Sequence, residues 1–342
     1  MARAFVGIDI GNTNCKIAIR DSSSARLVSA VMPENMVSSG TVVAPSTMAT
    51  FLRTVRADNH IRARNCFLVL AESQSFFRHV SLPKMTIDEL KINLPYEFRD
   101  FIEGNPSDYV YDYAIDDGFS TINEASDGLE LYAAAAKKSL VQGHSLMLRH
   151  AGFRLKGVIP AQMAYSGLLR HYLQTHPEQN GKNVVLVNIG YANVTITLFS
   201  GYRFQASKVI ELGCRDIDEA IADDKNVDRY TASTFKNSNY EGVLDLPICK
   251  DIYDRLCVEI NKVLNFYNFS NQGSDVEKAF LLGGGAQIPQ LVSTIKKFFS
   301  RLPVEDIGAT LLPEEFRDAS QSSLCALAVA ALIEGEAMQP CH

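Results

Sequence analysis

Apolar residues alternate with small or polar ones along residues 4–10 (AFVGIDI) and 15–20 (CKIAIR), with a polar turn between them. This period-two pattern predicts two strands, and a third near 26–32 completes an antiparallel meander. A helical pattern follows at 46–57, then strands at 65–71 (NCFLVLA) and 76–82 (FFRHVSL). From Thr86 to about Phe101 the pattern is helical again. Thr86 and Glu89 have capping-box spacing, and Pro95 should kink or divide the helix. Residues 104–128 are polar and turn-rich around one strand at 109–115.

Further along come a strand at 129–136, an amphipathic helix at 138–151, a strand at 155–159 and a helix at 161–174. After a polar bridge at 175–182 the opening pattern returns: strands at 183–188, 194–199 and 202–209 around a turn. Helices are predicted at about 214–224 and 246–268, with 225–244 polar and irregular between them. A strand at 278–282 leads into Gly283-Gly284-Gly285, then a helix at 289–299 and an apolar terminal helix at 322–334. The start and the middle thus share one pattern: apolar strand, Asp or Asn followed by Ile-Gly, a small polar turn, and two more strands. Such a repeat is what two like-folded lobes produce.

The turns carry the candidate chemistry. In Asp9-Ile10-Gly11-Asn12-Thr13-Asn14 a glycine admits a tight backbone. Thr13, Asn14 and the main-chain N–H groups can then surround phosphate oxygens. Asp9 would face the same pocket and could hold magnesium through water, and Lys16 stands just beyond on the next strand. A plain hairpin turn has the same composition. The second turn, Asn188-Ile189-Gly190-Tyr191-Ala192-Asn193, repeats the pattern, with Asn193 and Thr195 as its polar groups. The Gly283-Gly284-Gly285 run after a buried strand would let a nucleotide lie against backbone. Alone it reads as a flexible loop. In this order the elements read together as a two-sided clamp on a triphosphate.

Composition narrows the field. With 342 residues the chain is too long for one core, and its 46% hydrophobic and 21% charged content is that of a globular protein. A net charge of −6 argues against nucleic-acid binding. Seven cysteines, with no CxxC pair, fit reduced thiols, and the seven histidines form no ligand cluster. No basic and apolar leader precedes the first strand, and no apolar run reaches the roughly 18 residues that span a bilayer. The expected location is the cytoplasm, with any membrane contact made through a partner.

The three glycine elements, in this order, resemble the actin-like ATPase superfamily. Within it the chain is most similar to the PilM family of type IV pilus assembly proteins, over nearly its whole length. Leu82-Pro83-Lys84-Met85-Thr86 with Glu89-Leu90 resembles the LPxM…EL signature of that family's extra subdomain, and is the most specific motif. Ala151-Gly152-Phe153, Gly213 with Ile217, and the stretch from Glu259 to Tyr267 also look like the family. The resemblance implies an α/β fold of two actin-like (ribonuclease H-like) lobes with a small α+β subdomain inserted in the first. Residues 1–40, 129–180 and 320–342 would form the first lobe, 41–128 the insert and 181–319 the second lobe.

It also implies ATP and Mg2+ as cofactors. Gly11, Asn12, Thr13, Asn14, Lys16, Asn188, Gly190, Ala192, Asn193, Gly283, Gly284 and Gly285 would bind the nucleotide, with Asp9 at the metal. The implied partner is the cytoplasmic N-terminal tail of an inner-membrane pilus assembly protein, held as a short peptide beside the insert. Self-association is compatible with the resemblance. The segment 82–101 reads equally as a capped core helix.

Two departures bear on catalysis. The second turn opens with Asn188 where the family has aspartate, and Ala161-Gln162 stands where it commonly has Glu-Pro. Gln162 could orient a water, joining Asp9 as a catalytic candidate, or could be a solvated helix-start residue. The expectation is a nucleotide-responsive scaffold with weak or absent ATPase activity. The first turn is also similar to that of type III pantothenate kinases, which makes a small-molecule kinase the alternative. A division-type homologue related to FtsA would need a membrane-binding amphipathic tail, which 334–342 is too short and mixed to supply.

Overall fold

Strand Phe5–Ile10 sends Val6 and Ile8 into one apolar cluster and Phe5 into another, as alternation along a strand requires. Strand Asn183–Ile189 does the same, with Val185, Val187 and Ile189 on one side and Leu186 on the other. Each strand is central to a five-stranded sheet covered on both faces. In the computed structural model, which describes residues 4–21, 24–38, 40–115, 128–271, 275–317 and 320–338, these sheets form two like-built lobes.

The first sheet runs Arg154–Pro160, Asn65–Leu70, Phe5–Ile10, Asn14–Arg20, Ala25–Val31. Its first three strands are parallel and its last three antiparallel. The second sheet runs Arg203–Ile210, Val194–Ser200, Asn183–Ile189, Lys278–Leu282, Val304–Asp306. It repeats the meander followed by parallel strands.

Between the sheets lie two helices, Ala161–Thr175 and Ser322–Ala337. One apolar cluster joins Phe5 and Phe67 of the first sheet to Leu168, Leu332 and then Leu186 and Phe280 of the second. The terminal helix is buried on nearly every side, which explains its uniformly apolar sequence and lack of amphipathic pattern. Its one buried acid, Glu334, pairs with Arg170 at 2.9 Å. Burial still pushes the Glu334 carboxyl up, against the pull of Arg170.

A separate small sheet, in the order Ser75–Pro83, Gly128–Lys137, Tyr109–Ile115, packs on a short helix, Ile87–Asn93, through Val80, Leu90, Phe98, Leu131 and Ala133. The helix begins with the expected capping box: Glu89 N–H donates to Thr86 Oγ1 at 3.3 Å and Thr86 N–H to Glu89 Oε2 at 2.8 Å. The donation from Thr86 holds the Glu89 carboxyl below the usual carboxylate range. At Pro95 the chain passes into a 3-10 turn, Leu94–Phe98, so the proline divides the helix as expected.

Sheet membership differs from the sequence reading in two places. Strand Asn65–Leu70, read within the 41–128 insert, is the second strand of the first lobe's sheet. Cys66 through Leu70 are all buried, as a central strand covered on both faces demands. Helix Pro45–Asp58, also read within the insert, packs through Leu52 and Val55 against Leu148 on that lobe. Conversely Gly128–Lys137, read as first-lobe, is the middle strand of the small sheet. The polar stretch 225–244 also holds a helix, Arg229–Ser238, whose Asp228 cap accepts from the N–H groups of Tyr230 and Thr231. Part of the predicted 104–128 loop and Cys341 lie outside the described residues. Among the described residues no helix is long and apolar enough to cross a membrane.

Candidate functional site

The two turns are superimposable in their bonding. Asp9 pairs in register with Lys16, and Asn188 with Thr195. Gly11 N–H donates to Asn14 O at 3.0 Å, and Gly190 N–H to Asn193 O at 3.0 Å. A Cβ on Gly190 would lie 2.8 Å from Asn193 O, and one on Gly11 would lie 2.5 Å from Lys16 Nζ. Both turns are therefore cradles that a side chain would fill.

The side chains of the first turn are engaged with one another. Lys16 Nζ lies 3.0 Å from Asp9 Oδ2, in a largely buried pair. Thr13 Oγ1 donates to Asn14 Oδ1 at 2.9 Å, and Asn14 Nδ2 donates to Ser29 Oγ at 3.2 Å. Asn12 Oδ1 accepts from Gly40 N–H at 3.4 Å. What the turn leaves for an anion is chiefly backbone and the Lys16 charge.

Around the second turn three segments converge. Gly283, at φ +86°, sits where a Cβ would meet Asn188 Oδ1 at 2.5 Å and Ile189 O at 2.6 Å. That left-handed conformation and the close approach both require glycine. Gly285 packs on Ile189, whereas Gly284 faces open space. Helix Cys214–Lys225 docks on the same turn: Cys214 N–H donates to Gly190 O at 3.0 Å and Arg215 N–H to Tyr191 O at 2.8 Å. Ala192 lies against Gly213 at the start of that helix. Behind it Lys236 and Asp218 form a buried ion pair at 2.6 Å, with Lys236 Nζ 5.8 Å from the Tyr191 ring centre.

Helix Ala161–Thr175 links the turns. Gln162 is buried rather than solvated, and its Oε1 has no hydrogen-bond partner. One helical turn on, Tyr165 is buried, with Asn188 beside its hydroxyl and no hydrogen bond of normal geometry reaching it. Burial, and then the charges of Asp9 and Glu72, drive its pKa well above the ordinary tyrosine value. Glu72, on the 3-10 turn Glu72–Gln74, accepts from Ser207 Oγ of the second lobe at 2.5 Å. Burial pushes the Glu72 carboxyl up, opposed by that hydrogen bond.

Tyr165, Glu72, Ser207 and the Asp218–Lys236 pair were not legible as site residues. Only Tyr165 carried a signal, its i,i+3 spacing from Gln162. The cysteines Cys15, Cys66 and Cys325 are buried near the first sheet, with burial raising each thiol to about 12, so none is a thiolate near neutral pH.

The residues fit a nucleotide in part. Two glycine cradles, an open Gly284 and buried unpaired oxygens on Gln162 and Tyr165 are what a bound polyphosphate and its waters would use. For magnesium the donor set is thin: Asp9 is the one carboxylate on either turn, and Lys16 already holds it.

No curated protein sequence is significantly similar to the chain. Among solved structures, the PilM–PilN type IV pilus biogenesis complex matches with TM-score 0.79 at 23% identity, covering 98% of each chain. The ethanolamine utilization protein EutJ from Carboxydothermus hydrogenoformans matches with TM-score 0.58 at 11% identity, covering 98% of this chain and 90% of its own. MreB 5 of Spiroplasma citri, bound to AMPPNP, matches with TM-score 0.50 at 11% identity, covering 99% and 96%. These likenesses establish an actin-like ATPase fold. The sequence profile described as type IV pilus assembly protein PilM matches residues 7–303, and the chain belongs to that family.

Proposed function

We propose that this chain is a nucleotide-responsive scaffold of type IV pilus assembly, located in the cytoplasm and peripheral to the inner membrane. ATP would bind between the two turns, and the closed arrangement would hold the cytoplasmic tail of an inner-membrane partner beside the inserted sheet. The carrying observation is the pair of identically bonded glycine turns, Gly11 N–H to Asn14 O and Gly190 N–H to Asn193 O, with Gly283 packed against Asn188. Asn12, Thr13, Ala192 and Asn193 would offer backbone N–H groups, with Gly11 and Gly190 keeping the turns open, Lys16 its charge, and Gly283 to Gly285 a glycine floor for the nucleoside. Asp9 would orient the waters of a bound magnesium, which would neutralise phosphate charge. For ATP to control partner binding it must favour one lobe arrangement over the other.

The missing second carboxylate supports weak turnover. Asn188 cannot supply charge to a metal, and Gln162, though buried with a free oxygen, is not a base. The test is thermal unfolding against ATP with magnesium, alongside phosphate release. Stabilisation by ATP with release no faster than buffer supports the scaffold, and no stabilisation removes the clamp. A peptide copying the cytoplasmic tail of a candidate inner-membrane pilus partner should bind more tightly with ATP present.

One observation favours a second reading, a small-molecule kinase. Glu72 is a half-buried carboxylate with a raised pKa, whose charge acts on the buried Tyr165 hydroxyl, and it could serve as base for an acceptor hydroxyl. Rapid ADP formation with a pantothenate-like acceptor, lost in Glu72→Gln, would select it.

A further inference from the structure

Helix Pro45–Asp58 ends in a turn whose bonding is unusual for its sequence. His60 N–H donates to Ala57 O at 3.0 Å and Ile61 N–H to Arg56 O at 2.9 Å, the pattern of a helix ended by a left-handed residue. That residue is His60, at φ +50°, where glycine is the ordinary choice. The loop is braced on both sides. Arg26 donates to Asn59 O at 2.8 Å and to His60 O at 3.2 Å, while Arg154 N–H donates to Arg64 O at 2.6 Å.

The braced loop walls an open, shallow concavity of ≈ 500 Å³ lined by Arg56, Ala57, His60, Ile61, Arg62 and Arg64. In a chain of net charge −6, three guanidiniums and an imidazole meet in one concavity. Arg56, Arg62 and Arg64 take part in no ion pair among the described residues; the arginines that do include Arg20, Arg170, Arg215 and Arg229. Arg56 is held with its guanidinium carbon 5.6 Å from the Phe153 ring centre, and its Nε is buried without a hydrogen-bond partner. Gathering unpaired cations raises repulsion, and burying a guanidinium N–H without an acceptor costs free energy unless an anion completes the group.

We propose that this pocket binds a phosphate group, presented by a small soluble anion or by a lipid headgroup. Arginine forks match phosphate oxygens in pairs, and a braced loop presents them with little ordering left to lose. The lining comes from one short segment, residues 56–64, which suits one headgroup or small anion rather than the length of a nucleic-acid backbone. The site is separate from the clamp. Asn65 and Arg154 align with the Phe5 end of the first sheet, whereas Asp9 and Gly11 stand at the other end of the Phe5–Ile10 strand, about 13 Å and about 20 Å further along at a strand's rise per residue.

The test uses the full chain and Arg62→Ser/Arg64→Ser, both positions being exposed. Inorganic phosphate is titrated calorimetrically with ATP and magnesium saturating. Sedimentation is measured with vesicles of phosphatidylcholine alone and of phosphatidylcholine with phosphatidylglycerol. The expected result is binding of one probe by the wild type, weakened by about tenfold or more in the variant, with the thermal response to ATP unchanged. Loss of phosphatidylglycerol-dependent sedimentation identifies a headgroup, and loss of phosphate heat alone identifies a soluble anion. Equal binding by both proteins overturns the proposal, as does binding of neither probe or of duplex DNA in their place.

Discussion

The Ser207 hydroxyl donates to the Glu72 carboxylate at 2.5 Å, tying a second-lobe strand to the turn that leaves the first lobe's sheet. Burial raises the Glu72 pKa more than this bond lowers it. A raised carboxyl contributes stability that is full below its unfolded pKa and is lost as pH rises through the folded one. At neutral pH the ionised group is therefore a strain on this contact between the lobes. Glu72→Gln, which keeps an acceptor for Ser207, should raise the melting temperature at neutral pH and flatten its fall as pH rises above the ordinary carboxylate range. Ser207→Ala should lower it, by about 1–2 kcal/mol of unfolding free energy, since a hydrogen bond to a charged group is lost. Melting curves across that pH range check both.

The two cradle glycines should respond differently to alanine. A Cβ on Gly190 meets backbone, Asn193 O at 2.8 Å, whereas on Gly11 its nearest neighbour is the movable end of Lys16. Gly190→Ala should therefore destabilise the unliganded chain by about 1–3 kcal/mol. Gly11→Ala should cost less, because Lys16 can move and Asn14 O lies farther off at 3.1 Å, but it should weaken the ATP response by displacing Lys16 from Asp9. Denaturant melts with and without ATP separate the two.

Restoring charge at the second turn tests the metal reading. Asn188→Asp would place a carboxylate against Gly283 and beside the Tyr165 hydroxyl. ATP binding should become more dependent on magnesium, as a second carboxylate facing the cleft adds an oxygen donor. Phosphate release should rise little, because Gln162 still supplies no base. A titration of magnesium at fixed ATP, followed by melting temperature, reads the first effect.

The doubled pattern of strand, Ile-Gly and turn was enough to place both turns, because period-two alternation and a glycine cradle are local properties. Pro95 and the Thr86–Glu89 cap were legible for the same reason. Sheet membership was not. Residues 65–70 and 128–137 read as strands, but which sheet each joins depends on pairing partners far along the chain. Helix Arg229–Ser238 was hidden because its burial rests on Ala232 and on the stem of Lys236, which pattern-reading scores as polar. Glu72 and Ser207 meet only because two lobes face each other, and each is unremarked in its own segment.

The Asp218–Lys236 pair carries the last prediction. Neither side chain is appreciably exposed, at 0% and 8%, and they lie 2.6 Å apart behind the second turn. Burial raises the Asp218 pKa despite the attraction of Lys236, so desolvation outweighs pairing. Removing one partner leaves the other charge buried alone, and Asp218→Asn or Lys236→Met should each cost about 3–5 kcal/mol. Asp218→Leu with Lys236→Met should recover most of that, because a packed apolar pair needs no solvation. With a raised pKa, the Asp218 contribution is full at low pH and lost as pH rises through the folded value, and the double variant should lack that component. Lys236 also faces the Tyr191 ring at 5.8 Å, so the double variant should loosen the second turn. A stable double variant with weakened ATP stabilisation would place the pair in support of the turn, whereas unchanged ATP stabilisation would confine it to the fold.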